Sequence, residues 1–145
     1  MITRLASRWA RRVAVFAIAM VVAGYGSGVV SRSAAERATG TRIFEALGTR
    51  DIYVLPDDLA SSFNYPGSSA ALKRAGFTVR HCDHTGDRFD CFPWAGMSTT
   101  VVGPFVLDVR WGEVGAPLGG SGTRTQYFAM FGLVFRIRDI GGWSA

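Results

Sequence analysis

Eighteen consecutive uncharged residues, Val13 to Val30 (VAVFAIAMVVAGYGSGVV), constrain this chain more than any other feature in it. A helix rises about 1.5 Å per residue, so this stretch reaches about 27 Å, close to the ~30 Å hydrocarbon core of a bilayer. Ahead of it, MITRLASRWARR carries Arg4, Arg8, Arg11 and Arg12 and no acid; behind it, Ser31-Arg32 opens a polar continuation. A basic foot, an apolar span and a polar exit make a single-pass anchor whose basic flank stays cytoplasmic. The expected organisation is a cytoplasmic basic tail over 1–12, a transmembrane signal anchor over 13–30, a helical linker over 31–50 and an exported α+β domain over 51–145. That places the protein in the inner (cytoplasmic) membrane of a bacterium, with its carboxyl-terminal domain periplasmic. A cleaved secretory signal is the competing reading, because Ser33-Ala34-Ala35 sets small residues ahead of Glu36. Against it, the apolar run exceeds the ~7–15 residues of a signal core, and Arg32 falls inside the cleavage region.

The charge balance follows the topology. The chain has 16 basic and 11 acidic residues, a net +5, and four of those bases lie in the foot with no acid beside them. The remainder is nearly neutral, which argues against a nucleic-acid partner. A hydrophobic share of 48% predicts a folded domain rather than a disordered tail, and the length past the span suits one core.

Within the span, Ala19 and Ala23 are four apart, as are Gly24 and Gly28. Small residues at that interval let a second membrane helix approach closely, so the expected partners are the membrane itself and other membrane-protein subunits.

Past the span, residues 31–47 are helix-compatible. Ala34, Ala35, Ala38, Ile43, Phe44 and Leu47 fall near one face, with Glu36, Arg37, Arg42 and Glu45 elsewhere, and Gly40 weakens the middle. Residues 51–55 read as a short strand, 56–63 as a short helix and 68–75 as another, stopped by Gly76. From Phe77 the pattern turns to strand. Thr99–Val114 places Phe105, Leu107, Val109 and Trp111 on one face, with Asp108 and Arg110 on the other. Thr123–Ile140 places Tyr127, Ala129, Phe131, Leu133, Phe135 and Ile137 on one face, yet Phe128, Met130 and Val134 make the opposite face apolar too. Those three are interface candidates, since a strand apolar on both faces is either covered twice within its domain or meets a partner. The expected fold is α+β: one transmembrane helix, helical segments, then an antiparallel β-meander of about four strands.

Both cysteines lie beyond the span. A two-residue turn at Gly86-Asp87 sets Cys82 opposite Cys91 in a hairpin, at a non-hydrogen-bonded position compatible with a disulfide, and an oxidising compartment favours that bond. The same stretch is dense in metal-ligating residue types. In this register, however, His81, Asp83 and Asp90 share one face while Cys82, His84 and Cys91 share the other, so they do not converge as a tetrahedral site requires. No metal or other cofactor is expected; His81, Asp83 and Asp90 are the alternative ligands.

No GxSxG, P-loop or HExxH pattern occurs, and no catalytic residues are assigned. Anchor helix, helical continuation, sheet and disulfide together resemble the outline of a pilin-like subunit. The chain departs from that pattern in having no Gly-Phe junction before the span and no glutamate five residues into it. The expected function is a non-catalytic, membrane-anchored accessory or structural subunit of an envelope or membrane-protein assembly. The rival is a periplasmic ligand- or metal-binding module centred on residues 81–91, with the aromatics of 92–111 as a groove.

Overall fold

One helix, α1 (Ile2–Leu47), runs 46 residues without a break, about 69 Å at the rise of an ideal helix. The computed structural model describes residues 2–54, 69–82, 91–116 and 119–144. After α1 come β1 (Asp51–Val54), α2 (Ser69–Arg74), β2 (Thr78–Arg80), β3 (Trp94–Gly103), β4 (Val106–Ala116), β5 (Gly119–Met130) and β6 (Leu133–Ser144). The strands form one mixed sheet in the order β2-β1-β3-β4-β5-β6. β1 is parallel to both β2 and β3, and the last four strands form an antiparallel meander. The architecture is α+β, as the sequence indicates.

The helix has two environments. Over residues 9–22 it is exposed, and the apolar side chains of Val15, Phe16, Ile18 and Val22 touch nothing that covers them. It is long and apolar enough to cross a membrane. From Ala23 onward it lies on the sheet. Two adjacent ridges with four-residue spacing face inward: Ser27, Ser31, Ala35, Thr39 and Ile43 on one, Gly24, Gly28, Glu36 and Gly40 on the other. Residues 31–47, the helical linker of the sequence reading, pack on the sheet. They form one wall of the core, and Glu36, expected on the outer side, is fully buried.

The core lies between this half of α1, the short helix α2 and one face of the sheet. Ala35 and Ile43 meet Leu72 of α2, Met97 of β3, and Leu107 and Val109 of β4. Strand alternation explains which residues point inward: Leu107, Val109 and Trp111 are buried, while Asp108 and Arg110 lie on the other face. A smaller cluster forms on that other face, where Trp94 stacks on Phe92 with ring centroids 4.4 Å apart. Trp94 and Trp111 are both buried, so neither ring offers an open groove.

Three local expectations change. The run 99–114 is two strands, turning at Pro104-Phe105, and 123–140 is likewise two, turning at Phe131-Gly132. The second turn reverses the parity of the residues after it. Phe128 and Met130 do share an exposed face, but Val134 points the other way and packs against the core. The flanks of the cysteine loop are not neighbours in the sheet either, because β1 lies between β2 and β3. The anticipated hairpin turn, like the 56–63 helix, lies outside the described residues.

Candidate functional site

The seam between α1 and the sheet concentrates the polar chemistry of the described residues, and it begins at the end of the seam nearest the exposed half of the helix. Gly24 comes so close to the β3–β4 turn that a Cβ there would sit 2.6 Å from the Pro104 Cβ. The Gly24 carbonyl accepts a hydrogen bond from the Phe105 amide at 3.1 Å. One helical turn on, Ser27 Oγ donates to the Ala129 carbonyl at 2.9 Å and accepts from the Phe131 amide at 2.7 Å. After another turn, Ser31 Oγ accepts from the Gly132 amide at 2.8 Å. Serine hydroxyls of one helix thus hold the backbone of the β5–β6 turn.

Farther along, Arg32 donates to the Thr99 carbonyl at 2.5 Å. Buried Glu36 receives a two-pronged hydrogen bond from Arg74 of α2, at 2.6 and 2.8 Å. That pairing raises the Arg74 pKa above its ordinary value, against the opposing effect of burial. Thr39 and the Tyr127 hydroxyl share a hydrogen bond of 2.9 Å; burial of that phenol raises its pKa, outweighing the Thr39 bond.

At the far end of the seam, Arg42 forks onto Asp139 of β6 at 3.0 and 3.1 Å and lies over the Trp111 ring, 5.0 Å from its centroid. Thr125 ties the group together, accepting from Arg42 and from Trp111 Nε1 and donating to Asp139 at 2.7 Å. For Asp139, partial burial opposes the charge, but the hydrogen bonds from Arg42 and Thr125 prevail and its pKa lies below the ordinary value.

These groups satisfy one another. Their arrangement fastens a helix to a sheet along its length. Cys82 and Cys91 form a disulfide, with Cα atoms 5.8 Å apart, which bridges the connection between β2 and β3. His81 is exposed, while Asp83 and Asp90 lie outside the described residues. Among the described residues no group of three or more His, Cys, Asp or Glu side chains is placed to hold a metal.

The small residues of the span separate into two groups. Gly24 and Gly28 sit against the chain's own sheet, Gly28 beside Val101. Ala19 is exposed and Ala23 half-buried at the start of the seam. No protein family, curated protein or solved structure matches the chain.

Proposed function

We propose that the protein is a non-catalytic accessory or structural subunit of a bacterial envelope assembly, held in the inner membrane by the first half of α1 with its sheet domain on the periplasmic side. One observation carries this reading: the apolar rod and the core of the domain are the same helix. Removal of a signal ahead of Glu36 would take away Ser27, Ser31 and Ala35, all buried in the seam. This supports a retained anchor over a discarded leader. Arg11 and Arg12 before the span support a cytoplasmic amino terminus.

A rigid mount of this kind holds one surface of the domain at a fixed height and orientation. The surface best suited to a partner subunit is β6, the end strand of the sheet. A long edge strand is a ready template for another chain unless it is blocked, and Ile137 bulges from it between Arg136 and Arg138 with half its surface exposed. Extraction in a mild detergent, followed by native mass measurement, tests the reading. The expected result is a stable complex with other chains in fixed ratio, dissociated by Ile137→Asp. A single chain alone in its micelle contradicts it.

A further inference from the structure

We propose that the two turns at the anchor end of the sheet, Pro104-Phe105 and Phe131-Gly132, are inserted into the membrane beside the helix, so that the domain is seated in the lipid surface rather than held above it. This rests on the reading of α1 as a retained anchor, and three independent observations lead to it.

The first is length. The helix stands free of the sheet only up to Ala23. If the membrane ended there, the uncharged span from Val13 would cover only about 17 Å of a ~30 Å hydrocarbon core. Extending it to Ser31, the last residue before Arg32, gives about 28 Å. At that depth the residues beside helix positions 24–31 enter the lipid too, and those residues are the two turns.

The second is composition. The turns and the strand ends leading to them carry no charge from Ala95 to Leu107 and from Thr125 to Phe135. The first charge after the β3–β4 turn, Asp108, is buried and paired with Arg124. Large apolar side chains project outward around the β5–β6 turn: Phe131 is 71% exposed and Leu133 59%, with Met130 and Phe135 beside them. On the helix at the same level, Val29 and Val30 are exposed as well. Tyr25, also exposed, lies at the level of the β3–β4 turn, next to Gly24.

The third is the backbone. A turn in water leaves its amides to the solvent, whereas in lipid each unsatisfied amide costs several kcal/mol, so irregular backbone there needs partners from the protein. Here the amides of Phe105, Phe131 and Gly132 are all bonded to α1, and Pro104 has no amide to satisfy.

The test uses the full chain in lipid vesicles, labelled with an environment-sensitive fluorophore at a single introduced cysteine. The native cysteines are paired and do not react. Phe131→Cys and Leu133→Cys probe the turn, Val22→Cys the span and Arg138→Cys the distal part of β6. The first two replace exposed side chains, so folding is retained. Spin-labelled lipids should quench positions 131, 133 and 22, and aqueous iodide should quench 131 at least roughly threefold less than 138, as expected for side chains at the headgroup–acyl boundary. Iodide quenching at 131 equal to that at 138, with 22 still quenched by lipid, overturns the seating while leaving the anchor in place. Shielding from both quenchers at 131 overturns it in favour of protein cover. Loss of lipid quenching at 22 overturns the anchor as well.

Discussion

Single residues along the seam have effects opposite to those their type suggests. In an exposed helix Gly40→Ala would stabilise by about 1 kcal/mol. Here the new methyl carbon would sit 2.8 Å from the Ala75 Cβ and 3.1 Å from its carbonyl oxygen. The substitution is therefore expected to destabilise by about 1–3 kcal/mol, the cost of overpacking. Gly26→Ala meets nothing and should be tolerated; thermal unfolding of the two variants in detergent makes the comparison. Glu36 and Arg74 are unequal partners, the carboxylate fully buried and the guanidinium nearly half exposed. Arg74→Ala removes the two-pronged partner of a buried carboxylate and should cost about 2–3 kcal/mol, less than a fully buried pair would lose because Arg74 is partly exposed and Arg32 remains 4.0 Å from Glu36. Glu36→Gln keeps a hydrogen-bond acceptor and should cost less. For Asp139 the lowered pKa fixes the sign of the pH dependence. Its contribution is fully present above the ordinary carboxylate value of 3.8 and is lost as pH falls through the lower folded value. The melting difference between wild type and Asp139→Asn should therefore be largest near neutral pH and close in strong acid.

At the scale of elements, the β3–β4 and β5–β6 turns explain what the sequence conceals. Positions needing positive φ in turns are usually announced by Gly, Asn or Asp. In this chain Phe105 and Phe131 occupy such positions, with φ of 60° and 46°, so each hairpin reads as one long apolar strand. The inward ridge of α1 was half legible. Gly24 and Gly28 stand out within the span, but the stripe continues through Ser27, Ser31, Ala35 and Thr39 into the domain, and packs there on the chain's own strands. The Leu107, Val109, Trp111 face followed directly from alternation. The cysteine pair was also legible, but through a hairpin whose flanking strands are not neighbours: β1, itself readable as a strand, lies between them, and its place there is hidden because it pairs across a long sequence interval. The disulfide closes a short connection, separation 9, and is expected to contribute about 2–3 kcal/mol. Its reduction should release amide protection in β2 and at the start of β3, measured by hydrogen exchange, while β4 and β5 stay protected.

For the whole molecule, the account turns on α1 being one object with two solvents: an apolar rod in lipid, and the wall of a core outside it. A domain so built needs no flexible tether, and its orientation to the rod is set by the helix they share. The N-terminal sequence of the protein recovered from its native membrane tests this most directly. The account predicts a mature chain that begins before Val13 and so retains the whole span together with Ser27, Ser31 and Ala35. A mature chain that begins at Glu36, folded and free in the periplasm, contradicts it.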